Sequence, residues 1–119
     1  MEEKTYEGSC HCGAVKFEVT MAQPEKTFAG NCSICMRSGW LLAFSPADKF
    51  RAIAGEETMR DYQFGKKSVH HLFCPTCGVR PFSRGKKKTG EPTVAINLRC
   101  LTAFDPTKLP VETFDCAAL

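Results

Sequence analysis

The fold is decided by Cys10-His11-Cys12-Gly13 and, far along the chain, by Cys74-Pro75-Thr76-Cys77-Gly78. Each segment places two cysteines close together and follows the second one with glycine. A structural zinc ion requires four soft ligands in a tetrahedron, and two tight pairs from distant parts of a chain supply them. The spacing therefore predicts one zinc ion, held by Cys10, Cys12, Cys74 and Cys77, that contributes directly to folding.

The glycine after each cysteine pair has a physical purpose. At positive φ, Gly13 and Gly78 let the backbone turn tightly around an ion and direct its amides toward the sulfurs. The main alternative is that the four residues are buried free cysteines, which are common in cores. Haem attachment is excluded, because it needs histidine after the second cysteine and Gly78 occupies that position.

The length and composition indicate a globular protein. Of 119 residues, 43% are hydrophobic and 24% are charged, which suits one domain with predicted bounds 1-119. The acidic start lacks the apolar run of a secretion signal, and no apolar stretch is long enough to span a bilayer. We expect a cytoplasmic protein with no membrane partner, in a compartment where eight cysteines favour metal or redox chemistry over disulfides.

The charge pattern excludes nucleic acid as the expected partner. A formal net charge of +3 is too small for the basic stripe that nucleic-acid binding requires. The one basic cluster, Lys86-Lys87-Lys88, lies between Gly85 and Gly90, and this setting indicates a solvated loop, with phosphate binding as the weaker alternative. The sequence leaves the oligomeric state open.

Short alternating or β-branched runs recur along the chain and predict strands. They cover residues 14–20, 41–44, 50–53, 59–64, 69–73 and 93–98. One helical turn is predicted over 33–38, and another near Asp105, which can cap a turn that Pro106 begins. The predicted fold class is mainly β, with antiparallel sheets packed around a zinc ion and one or two short helical turns.

A third cysteine pair, Cys32 and Cys35, lies where the first helical turn begins. Such a pair can bind a metal incompletely, leaving positions open for a substrate thiol, or can act as a redox dithiol. A thioredoxin-type site needs a βαβ setting that the strand pattern does not provide. Two inert cysteines beside a helix start are the structural alternative.

Four segments together resemble the glutathione-dependent formaldehyde-activating enzyme family, also called the GFA or CENP-V domain. They are Gly8-Ser9-Cys10-His11-Cys12-Gly13-Ala14-Val15, Asn31-Cys32-Ser33-Ile34-Cys35, Phe73-Cys74-Pro75-Thr76-Cys77-Gly78-Val79-Arg80-Pro81-Phe82 and Ala95-Ile96-Asn97-Leu98-Arg99-Cys100-Leu101. The match runs in order from about Gly8 to Asp115, nearly the whole chain.

The resemblance implies a β-tent zinc fold, in which the first and third segments hold the structural zinc. It also implies a second zinc held by a Cys-x-Cys-x-x-Cys motif, with an open position where glutathione binds. Such an ion lowers the pKa of the glutathione thiol or orients it for addition to formaldehyde, giving S-hydroxymethylglutathione. The reverse step breaks a carbon–sulfur bond, so the implied activity is that of a carbon–sulfur lyase.

This chain departs from the implied second site, because Gly30 occupies the position of the first cysteine and leaves only Cys32 and Cys35. A zinc on two thiolates needs other ligands. Cysteine and histidine on apolar strands are more often packed core residues than ligands. The conceivable recruits are Cys100, His71 and His70.

Three further side chains near this pair are candidates for a ligand site. Arg37 could bind a carboxylate of a glutathione-like ligand through two parallel hydrogen bonds, with a solvated helix arginine as the alternative. Trp40 and Phe44 could wall a pocket, although core packing is the usual use of such residues. Cys116 is interpreted as a free surface thiol without a role.

The leading functional hypothesis is a zinc-binding carbon–sulfur lyase that acts on an adduct of a glutathione-like thiol with formaldehyde or another small aldehyde. In this hypothesis, Cys32 and Cys35 are the catalytic residues and also the ligands of an incomplete second zinc site. Arg37 binds the substrate. The rivals are a non-catalytic zinc scaffold that binds a protein partner, and a redox or metal-handling thiol protein.

Overall fold

The computed structural model describes residues 2–64, 69–87 and 89–114. Within them, one α-helix, α1, covers Ser33–Ser38, and ten strands make up most of the regular structure. The strands are β1 (Glu3–Ser9), β2 (Lys16–Ala22), β3 (Thr27–Gly30), β4 (Leu42–Pro46), β5 (Phe50–Ala54), β6 (Arg60–Tyr62), β7 (His70–Phe73), β8 (Phe82–Lys86), β9 (Pro92–Asn97) and β10 (Val111–Phe114). The prediction of a mainly β fold is confirmed.

The strands form two sheets. The smaller has the order β1-β2-β5, and the larger has the order β10-β3-β4-β9-β8-β7-β6. All pairs are antiparallel, as predicted, except β10 and β3, which run parallel with Val111 opposite Thr27. The β1–β2 and β7–β8 connections carry the two cysteine pairs, so each sheet contributes one pair.

The helical turns follow the predicted signals. Gly39 ends α1 at φ 66°, and its N–H donates to the Cys35 carbonyl over 3.1 Å. A 3₁₀ turn over Pro106–Lys108 begins with Asp105 accepting a hydrogen bond from the Thr107 amide. Further 3₁₀ turns, which the sequence did not predict, cover Ala47–Lys49, Glu56–Thr58 and Leu98–Cys100.

The core lies between the two sheets and is built on three phenylalanines. Phe17 of β2 stacks on Phe50 of β5, with ring centroids 5.4 Å apart, and meets Phe82 of β8 edge-on at 5.8 Å. Phe17 and Phe82 are each 1% exposed. Fully burying such a side chain contributes about 1.5–3 kcal/mol, so this contact holds the small sheet against the large one.

The basic cluster lies on the surface, as predicted. Lys86 ends β8, Lys87 is exposed, and the Lys87 N–H donates to the Glu91 carbonyl in the turn toward β9. Lys88 lies outside the described residues. Across the described ranges, none of the helices has both the length and the apolar character needed to cross a bilayer.

Candidate metal centre and the adjoining cavity

The two cysteine pairs lie on loops that come from different sheets and meet at one point. Cys10 and Cys12 follow β1, whereas Cys74 and Cys77 follow β7. All four sulfurs lie within 4.8 Å of one another. The sequence predicts from cysteine spacing that these four residues share one ion, and the fold places their sulfurs close together.

Both loops turn in the same way. Gly13 and Gly78 have φ angles of 82° and 78°, a conformation that strains any residue with a Cβ, as the sequence predicted. The Cys10 N–H donates to the Val15 carbonyl, and the Cys74 N–H donates to the Val79 carbonyl, each over 3.0 Å. Each hydrogen bond closes a compact loop with the cysteines on its inner side.

The sulfur spacing fits a tetrahedral ion. The Cys12 sulfur lies 3.7 Å from that of Cys10 and 3.6 Å from that of Cys74. Four sulfurs at about 2.3 Å from a zinc ion stand about 3.8 Å apart, which is close to these separations. The donor set, four thiols with two of them buried, also suits zinc.

Backbone amides stabilise the thiolate forms that a metal needs. The Val15 N–H donates to the Cys10 sulfur over 3.3 Å. A hydrogen bond from the Cys77 amide lowers the pKa of Cys74. Burial acts to raise the pKa of Cys77, but hydrogen bonds from the amides of Cys12 and Val79 outweigh it and lower that pKa to about 6. The Ala14 amide acts to lower the pKa of Cys12, but burial and the neighbouring thiols of Cys10, Cys74 and Cys77 raise that pKa to about 11. The loops therefore favour the thiolate at Cys74 and Cys77, whereas Cys12 keeps its proton until an ion binds.

Cys100 lies near this centre without belonging to it. Burial raises the pKa of its thiol to about 11, and the negative charges of Cys10 and Cys77 add to the effect. Cys100 is not one of the four residues whose sulfurs lie within 4.8 Å of one another, and it packs against the hydrophobic core that includes Cys10 and Cys74. It is not a recruit for the second pair.

The second pair, Cys32 and Cys35, has different surroundings. Cys32 caps α1, Cys35 lies in its first turn, and their sulfurs are 3.1 Å apart. Gly30 is buried at the end of β3. In the part of the chain that the structure describes, no third cysteine, histidine or carboxylate joins the pair as a possible ligand.

The conceivable histidine recruits are engaged elsewhere. His70 Nδ1 lies 2.6 Å from the Asp61 carboxylate. His71 stacks between two rings, with centroids 5.2 Å from that of Phe64 and 6.1 Å from that of Trp40. The sulfurs of Cys32 and Cys35, 3.1 Å apart, are closer than the about 3.8 Å expected between two ligands of one tetrahedral zinc ion.

A cavity of about 730 Å³, which we call the α1 cavity, opens beside this helix. Its walls include Ser33, Ile34 and Arg37 of α1, Trp40 after the helix, and Arg80 from the loop that follows Cys77. Cys32 and Cys35 therefore flank residues that line a space large enough for a small molecule.

Three sequence candidates can be compared with this cavity. Arg37 lines it, although its Nη1 also donates to the Ser33 carbonyl over 3.0 Å. Trp40 lines it while remaining 95% buried, so it serves both as a wall and as core. Phe44 is 46% exposed and contacts Phe28, so its predicted core packing is wrong. Cys116 lies outside the described residues.

Sequence reasoning missed two polar residues here. Asn97 is buried, and its Nδ2 donates to the Arg80 carbonyl over 3.0 Å, while the Asn97 N–H donates to the Pro81 carbonyl. These bonds fix the segment that presents Arg80 to the cavity. Both residues stood in the segments that carry the family resemblance, but nothing in the local sequence separates them from ordinary loop and strand residues.

The fold and site define a class: a β protein whose two sheets meet at four cysteines that could hold a metal ion, with a ligand-sized cavity beside a cysteine-bearing helix. The family model described as glutathione-dependent formaldehyde-activating enzyme matches residues 5–116, and the chain belongs to this family. A crystal structure of a Rhodobacter sphaeroides protein is similar, with 29% identity and a TM-score of 0.77 over 89% of this chain and 99% of that one.

Proposed function

We propose that this chain is a carbon–sulfur lyase that makes and breaks the adduct of a glutathione-like thiol with an aldehyde. The observation that carries the proposal is the family match over residues 5–116, together with a ligand-sized cavity beside Cys32 and Cys35. In this proposal, Cys10, Cys12, Cys74 and Cys77 hold a structural zinc, and the reaction takes place at the α1 cavity.

The reaction needs a proton acceptor and a proton donor, and one sulfur of the Cys32–Cys35 pair can be both. As a thiolate it takes the proton of the bound thiol, whose sulfur then attacks the carbonyl carbon. A carbon–sulfur bond forms, the carbon–oxygen π bond breaks, and the oxygen takes the proton back from the cysteine. Atoms and charge balance, and the reverse sequence is the lyase reaction.

Arg37 supports this scheme as the residue that binds substrate. It is exposed, it lines the cavity, and it lies on the same helix as Cys35, two positions further along the chain. A guanidinium there can hold a carboxylate of the thiol compound while its sulfur approaches the pair.

The test measures exchange between free glutathione plus formaldehyde and their adduct, by two-dimensional exchange NMR. The wild-type protein should accelerate exchange above the buffer rate, and the double variant Cys32→Ala/Cys35→Ala should return it to that rate. Met36→Ala is the matched control, because Met36 lies on the same helix with 70% of its surface exposed. Exchange at the buffer rate with wild-type protein, across a panel of aldehydes, would reject the activity.

One observation favours a second candidate, a redox dithiol. The Cys32 and Cys35 sulfurs are 3.1 Å apart, so a small movement would allow a disulfide. Oxidation would release two protons and two electrons to an acceptor such as a low-molecular-weight disulfide. Thiol titration after equilibration with glutathione disulfide separates the two candidates: loss of two titratable thiols that Cys32→Ala abolishes would favour the dithiol.

A further inference from the structure

Among the residues that the structure describes, the lining of the α1 cavity carries positive charge and no carboxylate. Arg37 and Arg80 both line it, and none of the described residues that line it is aspartate or glutamate. Two guanidiniums that line one cavity give it a positive potential that attracts an anion. The lining therefore favours a ligand with at least one negative charge.

Arg80 is less exposed to solvent than Arg37, because its side chain is half-buried, so water screens its charge less. Burial lowers the pKa of its guanidinium, which is the expected penalty for a cation removed from water. Its Nη1 donates to the His71 carbonyl over 3.3 Å, and its guanidinium lies 4.8 Å from the Phe73 ring centroid. Within residues 2–64, 69–87 and 89–114, no carboxylate forms an ion pair with it. A half-buried guanidinium that lines a cavity and has no carboxylate partner can bind an anion there through charge-assisted hydrogen bonds.

Trp40, in the wall of the cavity, has an unsatisfied buried donor. Trp40 is 95% buried and lines the cavity, yet its Nε1–H has no hydrogen-bond partner among the described residues. Buried polar groups almost always have a partner, and an orphaned donor costs free energy. Because this atom has almost no accessible surface, the unsatisfied donor is a cost within the cavity wall and not a group offered to a ligand.

A row of flat rings leads from Trp40 to the cavity rim. Trp40, His71, Phe64 and Tyr62 follow one another with centroids 6.1, 5.2 and 5.8 Å apart and interplanar angles of 24°, 19° and 28°. Phe64 and Tyr62 line the cavity and remain 38% and 50% exposed. Exposed neighbouring aromatic rings on a cavity wall offer a stacking surface for a flat apolar group.

From these observations we propose that the α1 cavity selects a thiol adduct that carries both a carboxylate and a flat, aromatic or conjugated carbon group. The carboxylate binds Arg80, with Arg37 as the second cation, and the flat group packs on Phe64 and Tyr62. The thiol part rests on the proposed function, whereas the charge and ring preferences rest on the cavity itself. The preferred aldehyde is therefore larger than formaldehyde.

Trp40 makes the proposal measurable, because it is the only tryptophan of the chain and it lines the cavity. Its fluorescence is titrated with two stable thioethers, S-benzylglutathione and S-methylglutathione, and with the diethyl ester of the first. The benzyl compound should bind about tenfold more tightly than the methyl compound, and the ester should bind at least about tenfold more weakly than its parent acid.

Two variants, each with a matched control, test which residues cause the preference for a carboxylate and the preference for a benzyl group. Arg80→Gln should weaken both acids by about tenfold or more, and Phe64→Ala should remove the preference for the benzyl group. The controls are Arg51→Gln, an exposed arginine paired with Glu18 on the small sheet, and Phe44→Ala, a similarly exposed ring outside the cavity lining. Both controls should bind as the wild type does.

Equal affinity for the benzyl and methyl compounds, or for the acid and its ester, would overturn the proposal. Should Arg80→Gln fail to fold, the acid and ester comparison on wild-type protein decides the same question. Failure of the two proposals can be told apart. Selective binding without accelerated exchange rejects the lyase and keeps the cavity assignment, whereas accelerated exchange without binding preference rejects the cavity assignment alone.

Discussion

The four-cysteine centre and the Cys32–Cys35 pair use the same amino acid in different ways. In the centre, two loops from separate sheets place sulfurs 3.6 to 3.7 Å apart, and backbone amides donate to them. The pair lies on one short helix, with sulfurs 3.1 Å apart and Gly30 where a third sulfur would complete a site. A full set of prearranged ligands suits a permanent ion, whereas a cysteine pair on a short helix next to a cavity places sulfur beside a space for a small molecule.

The largest effect is expected when the centre loses a buried ligand. Cys74 is fully buried, and a structural zinc contributes about 10–16 kcal/mol, comparable with the whole stability of a domain at about 5–15 kcal/mol. Cys74→Ala should therefore contain almost no zinc and show no cooperative thermal unfolding, as measured by mass-spectrometric metal analysis and circular dichroism.

Cys32→Ala provides the other half of this comparison. It should keep the zinc content of the wild type and unfold within a few degrees of it, because exchanging a half-buried side chain at the edge of the small Ile34, Trp40 and Leu42 cluster costs about 1 kcal/mol. Loss of zinc from Cys32→Ala, or a fully metallated and stable Cys74→Ala, would contradict the division between the two sites.

A smaller effect is expected when the incomplete pair is completed. Gly30→Cys restores a Cys-x-Cys-x-x-Cys sequence with Cys32 and Cys35, and metal content should rise from about one to about two zinc ions per chain. Ala29→Cys is the matched control, since neighbouring strand residues point to opposite faces. The prediction fails if both variants hold the same amount of zinc as the wild type.

The smallest effect concerns pH and the ring row beside the cavity. Burial, together with the positive charges of Arg80 and His70, lowers the pKa of His71 below its usual 6.5, against the opposing effect of Asp61. As the pH falls, His71 of the unfolded chain therefore binds a proton at a higher pH than His71 of the folded chain does. The folded state loses stability as pH falls through about 6.5, and the loss is complete below the folded-state pKa.

The measurement is urea unfolding between pH 7.5 and 5.5 with zinc in excess. His71→Gln should show a shallower decline of unfolding free energy with falling pH than the wild type does. Asp61 and His70 form a neighbouring pair, so His70→Gln is a useful second variant that separates direct titration of His71 from changes in its surroundings. Parallel curves for wild type and His71→Gln would show that His71 contributes nothing to the pH dependence.

Strands with a strong alternating pattern could be predicted from the sequence, and weakly patterned ones could not. Val15, Phe17 and Val19 are buried in alternation, which is the signal that predicted β2. The strands β1, β3, β8 and β10 were missed. In β10 the described side chains are all exposed, because the strand lies at the edge of the large sheet, so no period of two is visible.

The metal centre was predictable, but the cavity was not. Cysteine spacing and a following glycine are local signals, and they named all four candidate ligands. The cavity instead combines Arg37 from a helix, Tyr62 from a strand end and Arg80 from a loop, and only the register of β6, β7 and β8 brings them together. No pattern within a short window of sequence contains that information.

The loop after β7 gives the metal centre and the cavity a shared dependence. Cys77 faces the four-cysteine centre, and three residues later Arg80 faces the cavity, held through its carbonyl by Asn97. Binding at two sites on one short segment is thermodynamically reciprocal: whatever factor the ion adds to the affinity for an anion, the anion adds to the affinity for the ion. Zinc availability would then act as an effector of ligand binding, in addition to holding the sheets together.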